Sequence, residues 1–485
     1  MLTENVYING EWIETGDEIA SQNPANTQEV VARVSKGNRG TAKQAIDASV
    51  EAQDEWKSLT QPERGSYLRD AAEVVEERFD EIVDLVVREL GKTEGSARGE
   101  VQRTVDLLNY YAEVARDKGG IAPPSASQQT LTYTKREPWG TAGVITPWNF
   151  PIAIPTWKIA PALVAGNTVV FKPASLTPGT AAALVQAFDK ADLPAGVLNF
   201  VPGSGSEVGD EIVTSDSVDV VSFTGSSRVG KHVYESAVSD GKRVQTEMGG
   251  KNPIIVDETA DIEHAVQLTI SGAFSGIAGQ ACTATSRAIV FEEVYDEYLE
   301  QLIKSVEDLT VANPTESDPN LGPKVSQSEL DSDLEYIAIG ENEGATLAVG
   351  GDQLTGGEYE DGFFVEPTVF TEVEPDMRIA QEEIFGPVLA VLSVSGFEEA
   401  ISVANGVDYG LTASLCTNDL SRTQRFTRDI ETGVVKVNQT STGVGMQMPF
   451  GGRKQSSSET FKEQGRQALE FFSHEKAVYV THLED

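Results

Sequence analysis

The chain reads as an α/β protein: a doubly wound, largely parallel sheet, a second α/β domain after it, and a small β element made from two distant segments. Three features predict this. From Gly140 onward, short apolar runs (AGVIT, TVVF, LNFV, VDVVSF, PIIV) alternate with helical patterns, as in a parallel sheet covered by helices on both faces. A second series of the same kind follows Cys282. Two further segments, LTYTKRE in the 130s and HEKAVYVTHLED at the end, carry the two-residue period of strands but belong to neither series.

Taken in order, residues 5–34 alternate around Asn9-Gly10, which predicts a hairpin laid as a lid on something larger. Helices are expected over 41–56, over 62–90 with Pro62 in the first turn, and over 97–116. Residues 119–137 break the helical run and project from the body. Helices over 157–164 and 177–190 then separate the strands of the first series, with PIIV read as its last strand. In the second series SRAIVF, TLAVGG, EPTVF, VLAVLSV, ASLCT and VVKVN are strands, and 292–309, 326–343 and 397–405 are helices. The expected boundaries are 1–117 with 138–247, then 248–450, then 118–137 with 463–485. The terminal strand has two available partners, the 130s segment or another subunit.

Composition removes several functions. The 485 residues are 39% hydrophobic, enough for large cores. No apolar stretch approaches the roughly 18 residues of a membrane span, and no basic segment leads into an apolar one. A cytoplasmic protein without membrane contact is expected. Two cysteines and four scattered histidines give neither a disulfide framework nor metal-ligand spacing, so no metal is expected. With 76 acidic against 37 basic residues the formal charge is -39, which would repel nucleic acid. The acids are spread along the whole length, the pattern of a protein from a salt-adapted cytosol.

The candidate chemistry centres on 246–287. Glu247 precedes a glycine pair, and Cys282 stands among Gly, Ala and Thr, an odd setting for a packing cysteine. They suggest a nucleophile and the base that later activates water. Two glycine-bearing turns join strand to helix: one with Gly205 and Gly209, whose spacing is one residue longer than the usual dinucleotide fingerprint, and one with Phe223, Gly225, Ser226 and Gly230. Small residues there admit a pyrophosphate to backbone N–H groups, or serve only close strand–helix packing. Asn149, between two prolines, is either a fixed amide donor for an oxyanion or a turn cap. Lys172 and Ser175 close the next strand where a ribose sits in doubly wound folds; without an acid, a 2′-phosphate is tolerated there. The alternative for Lys172 is a solvated strand end.

The ordered motifs PWNFP, KPAS, FTGSSRVG, EMGGKNP, GQACTA, EEIFGPV and PFGG resemble the NAD(P)-dependent aldehyde dehydrogenase superfamily over essentially the whole chain. The resemblance implies a doubly wound cofactor domain, a catalytic α/β domain and a β oligomerisation element. It implies that Cys282 is the nucleophile, Glu247 the general base and Asn149 the oxyanion donor. Thr146, Trp148, Lys172, Ser175, Gly205, Gly209, Phe223, Gly225, Ser226, Gly230, Glu383 and Phe385 would serve the cofactor, with NADP preferred and NAD the alternative. A thiolate, its pKa lowered by its surroundings, attacks the aldehyde. Hydride passes to the nicotinamide, and the thioester is hydrolysed to a free acid. Cys416 lies outside every motif and is expected to pack. A homo-oligomer, dimer or tetramer, is implied.

The substrate rests on one helix and the C-terminus. Arg103 heads a stripe with Leu107, Tyr110 and Val114, and so needs an anion. That anion is either Glu100, three residues earlier, or a substrate carboxylate held by two hydrogen bonds. The segment from Gln439 through Phe450 to FKEQG looks like that of 2,5-dioxopentanoate (α-ketoglutarate semialdehyde) dehydrogenases. It departs from the broader superfamily, which commonly has Gly after the first serine beyond PFGG-x-K, where this chain has Ser457 at a loop expected to shape the tunnel mouth. Arg103, Trp157, Gln439 and Phe450 are therefore the expected substrate contacts. Succinate or glutarate semialdehyde, or a broad aldehyde range, is the alternative. A non-catalytic binding protein is the remote one, opposed by the presence of Cys282, Glu247 and Asn149. The charge itself makes one prediction: raising KCl from about 0.1 to about 2 M shortens the Debye length to a few Å and should raise the thermal midpoint. A midpoint that falls over this range would contradict it.

Overall fold

A computed structural model describes residues 1–117 and 119–482. Position 118 and residues 483–485, both in the expected oligomerisation element, lie outside the described residues. Two seven-stranded sheets carry the architecture. The first runs Arg243–Glu247, Val220–Thr224, Thr141–Ile145, Thr168–Lys172 and Leu198–Phe200, all parallel. Its central strands are buried on both faces, which is why they read as unbroken apolar runs. The chain winds outward in both directions from Thr141–Ile145. The crevice beyond the carboxyl ends of this strand and of Val220–Thr224 is thus the topological switch point where such sheets bind ligands.

The second sheet runs Thr346–Val349, Thr368–Thr371, Val388–Val394, Thr285–Phe291, Asn252–Val256, Thr412–Cys416 and Val434–Val437. Only the first of these is antiparallel to its neighbour. Two expectations change here. The PIIV run, Asn252–Val256, belongs to this second sheet, and the first is closed instead by RVQTE, Arg243–Glu247, a strand too polar to be recognised from its pattern. Four residues, Met248 to Lys251, carry the chain from one sheet to the other.

The N-terminal hairpin forms, Val6–Ile8 against Glu11–Ile13, with Asn9 at φ 53° and Gly10 at φ 80°, the left-handed pair of a type I′ turn. It is no lid. It extends the first sheet through the pairing of Tyr7 with Phe200, and residues 18–35 form a separate small sheet with Leu2–Glu4. The helix expected over 62–90 is two, Gln61–Glu77 and Phe79–Leu90, divided at Arg78 (φ -105°, ψ 17°). The first opens with a reciprocal cap between Thr60 and Glu63 and has Pro62 in its first turn. Thr130–Pro138 pairs antiparallel along its whole length with Ser473–Thr481, forming a two-stranded ribbon that exposes Leu131, Tyr133, Tyr479 and Val480. Among the described residues no helix is long and apolar enough to cross a membrane.

Candidate active site

At the switch point lies a cavity of about 870 Å³. Thr146, Trp148, Asn149, Lys172, Gly205, Gly209, Phe223, Gly225, Ser226, Cys282, Glu383 and Phe385 all line it. The long spacing of the first glycine turn has a structural cause: Gly205–Gly209 is a single π-helical turn, which accommodates one more residue than an α turn. Two of the expected lining residues stand elsewhere. Ser175 is exposed, its hydroxyl 3.5 Å from the carbonyl of Gly203, and Ala174 takes the wall. Gly230 is a packing glycine, since a Cβ there would stand 2.4 Å from Met248 Sδ. Glu329, which the motifs did not indicate, also lines the cavity.

The glycine pair after Glu247 makes room for a carboxylate. A Cβ on Gly249 would lie 1.9 Å from Glu383 Oε2, and Gly250 N–H donates to Glu383 Oε1 at 3.0 Å. Burial pushes the Glu383 carboxyl up to about 7. Beside it Phe385 has a left-handed backbone, φ 64°, uncommon for a bulky residue. A fully buried ion pair holds that turn: Lys324 Nζ lies 2.8 Å from Asp333 and donates to the Phe385 carbonyl at 2.7 Å. The Phe385 ring meets Trp148 edge-on at 5.5 Å between centroids. Burial also brings the Lys172 ammonium down to about 8.

Cys282 is placed by amides. Asn252 Nδ2 donates to the carbonyls of Cys282 and Ala284, both at 2.8 Å, and its Oδ1 accepts from Thr412 N–H at 3.1 Å. Asn149 Nδ2 donates to the Gln280 carbonyl at 3.0 Å, which fixes the amide plane and leaves one of its two hydrogens for a ligand. The Cys282 thiol lies among carboxylates. Burial, then the carboxylates of Glu383, Glu247 and Glu463, push it far above the usual thiol range, a correction to the lowered value expected. Among the described residues, the charged groups that act on the sulfur are these three acids. Cys416 is buried in a strand of the second sheet, as expected of a packing residue.

Glu247 sits behind the cavity, 1% exposed. Its Oε1 accepts from Ser457 Oγ at 3.0 Å and its Oε2 from Gly452 N–H at 2.9 Å. Burial and the neighbouring Glu463 raise it well above the usual carboxylate range, against Lys462 and these two hydrogen bonds. Glu463 is itself joined to Lys158 and accepts from Trp157 Nε1 at 2.8 Å, and it pairs through its backbone with Phe450. Trp157 and Phe450 are 5.9 Å apart between ring centroids. The FKEQG segment is thus a hub, and neither Glu463 nor Lys158 had been singled out as a site residue.

Arg103 ends at the same hub. The Glu100 alternative fails, because Glu100 pairs with buried Lys92 and accepts from the N–H groups of Ile152 and Ala153. Arg103 instead donates to the neutral amide oxygen of Gln464 at 2.6 Å. Its guanidinium is half-buried and pulled below its usual range by that burial. Gln439 is not brought to this group: it is exposed beyond the edge strand Val434–Val437, and its carbonyl accepts from Ser414.

A switch-point cavity lined by a cysteine and an amide, with a buried carboxylate beyond them, is the site of an oxidoreductase. The chain belongs to the aldehyde dehydrogenase family, whose model matches residues 12–478. It is 52% identical over 475 residues to an α-ketoglutarate semialdehyde dehydrogenase of Haloferax volcanii, covering 98% of each chain. It is 45% identical over 476 residues to an α-ketoglutaric semialdehyde dehydrogenase of Bacillus subtilis, covering 98% of this chain and 97% of that one. Its fold matches the crystal structure of betaine aldehyde dehydrogenase from Staphylococcus aureus in complex with NAD+ with a TM-score of 0.95 at 35% identity, over 99% of this chain and 94% of that one.

The thiol's surroundings make a direct prediction. Because the thiolate is the reactive form, Cys282 in the ligand-free protein should alkylate with iodoacetamide more slowly than free cysteine at pH 7, and its rate should still be climbing at about pH 9. A plateau below about pH 8, followed by peptide mass spectrometry, would contradict this.

Proposed function

We propose that this enzyme oxidises 2,5-dioxopentanoate to 2-oxoglutarate in the cytosol, with NADP preferred over NAD. The observation that carries the substrate is Arg103: a half-buried guanidinium whose hydrogen-bond partner is a neutral amide, at the hub that also holds Trp157 and Phe450. Such a cation gains most from a carboxylate able to accept two parallel hydrogen bonds. The names carried by the Haloferax and Bacillus relatives agree with this choice.

The residues around the cavity suit a dinucleotide. Gly249 admits Glu383 to its wall, the π turn leaves Gly205 open, and the hydroxyl of buried Thr146 has no partner among the described residues. Lys172 lines the cavity without an ion-pair partner among the described residues, its ammonium donating to the Pro173 carbonyl at 3.0 Å, which supports tolerance of a 2′-phosphate. When bound, the nicotinamide supplies a hydride acceptor. The Cys282 thiol loses its proton to solvent, the sulfur bonds to the aldehyde carbon as the C=O π pair moves onto oxygen, and the free hydrogen of Asn149 holds the resulting oxyanion. Collapse expels the C–H electron pair as hydride and leaves a thioester. Glu247 then takes a proton from water, whose oxygen bonds to the acyl carbon as the C–S bond breaks and the acid departs.

Steady-state rates in molar KCl with 2,5-dioxopentanoate, succinate semialdehyde and propanal, each with both cofactors, test the assignment. The dioxo acid with NADP should give the highest kcat/KM, and a higher value for succinate semialdehyde or for NAD would refute the corresponding half. Arg103→Leu should raise KM for the acid about 10- to 100-fold, the worth of a charge-assisted pair, and leave propanal unchanged. Equal effects on both would return Arg103 to a purely structural role.

The ribbon of Thr130–Pro138 and Ser473–Thr481 is proposed as the oligomer contact, because it stands out from the body and exposes Leu131, Tyr133, Tyr479 and Val480. Sedimentation should find a dimer or tetramer in the native chain and a smaller species for Tyr479→Asp. An unchanged mass would move the contact elsewhere.

A further inference from the structure

Ser457 follows the first serine beyond PFGG-x-K, and the structure puts it against Glu247. The loop from Arg453 to Thr460 is laced to the strand Arg243–Glu247. Met248 N–H donates to the Ser456 carbonyl at 2.8 Å, Ser458 N–H to the Thr246 carbonyl at 3.2 Å, and Thr246 N–H to Ser458 Oγ at 3.2 Å. Glu247 and Ser457 face each other across an isolated antiparallel bridge. Both side chains are buried, at 1% and 5% exposure. Gly451 completes the fit, since a Cβ there would stand 2.3 Å from Glu247 Oε1.

We propose that Ser457 is a positioning residue for the base: its hydroxyl and Gly452 N–H each take one oxygen of the Glu247 carboxylate and favour its charged, water-activating form. This rests on the reading of Glu247 as the base of thioester hydrolysis. Three charged groups and one thiol act on that carboxylate. Lys462 attracts it, although its ammonium is turned to the carbonyls of Gly451 and Gly452. Glu463 repels it, with its own charge offset by Lys158 from the helix Ala153–Ala165, and Cys282 faces it from the loop of the second half. The hydroxyl is the only neutral side-chain donor that the carboxylate has among the described residues.

The sign follows from which form each contact favours. A donor to the carboxylate stabilises its ionised state and lowers its pKa, so removal of the hydroxyl should leave less ionised base at any given pH. Pre-steady-state reduction of the cofactor, followed through the first turnover and into the steady state from about pH 5.5 to 9, separates the two chemical stages. For Ser457→Ala the first-turnover burst should keep its rate within about twofold. The steady-state rate should fall several-fold at about pH 6.5, with its acid limb displaced upward by roughly one unit, the shift that a tenfold change in ionisation gives. Ser457→Thr, which keeps the hydroxyl, should restore the native profile. Since Ser457 Oγ also accepts from Glu459 N–H at 3.1 Å, the thermal midpoint of both variants is read alongside, and the threonine variant distinguishes loop support from the contact to the base. Glu247→Gln supplies the reference, and should stall after a single burst. A stalled Glu247→Gln enzyme with an unmoved acid limb in Ser457→Ala would overturn the role of Ser457 alone, as would an equal displacement in Ser457→Thr. Continued turnover by Glu247→Gln would overturn the reading of Glu247 and this inference with it.

Discussion

Four residues separate the two sheets, and that short crossing governs the site. The chain leaves the first sheet at Glu247 and enters the second at Asn252, so whatever lies at the first sheet's carboxyl edge is tied at close range to the second. The side chain of Asn252 completes the junction by binding the carbonyls of Cys282 and Ala284 and the N–H of Thr412. A buried amide with three partners is a costly group to leave unsatisfied, and here that cost fixes the register of the cysteine loop against two strands. The glycines of the crossing are explained by what they admit: Glu383 lies where the side chain of residue 249 would be.

The electrostatics follow from this crowding. Glu247, Glu383 and Glu463 surround Cys282 in a region that also buries Lys158 and half-buries Lys462. Each acid is held on a different element, and each raises the cost of a second negative charge nearby. In the ligand-free state this favours a neutral thiol and a base that is reluctant to ionise. A thiolate in such surroundings would be favoured by a cation or a proton acceptor brought to the sulfur.

The apolar strands of both sheets, most helices and the lining of the cavity were legible in the sequence, because a strand buried on both faces and a strand-to-helix glycine turn each leave a local mark. Other features left none. Arg243–Glu247 has a single apolar residue, Val244, although four of its five residues are buried, and it was passed over in favour of the apolar PIIV. The break at Arg78 falls within a stripe whose period runs through it, from Leu68, Ala72 and Val75 to Ile82 and Val86. The partner of Glu100 is Lys92, outside the same helix, so helical spacing could not choose it. Glu463 acts through tertiary contacts with Lys158 and Trp157, 305 and 306 positions away. Local pattern identifies elements and motif residues. It does not say which buried charges will meet.

The ribbon of Thr130–Pro138 and Ser473–Thr481 has only two strands, so each has one edge without a strand partner in the described chain. Its charges lie on one part of its length, where Glu137 is paired with both Lys135 and Lys476, while the far part carries threonines with Leu131, Tyr479 and Val480 exposed. Charge discourages a foreign strand from adding to an edge, and its absence invites one. An isolated copy of this chain would thus present, among its described residues, an uncharged β edge at the end of its ribbon, the part of the ribbon best suited to receive another strand.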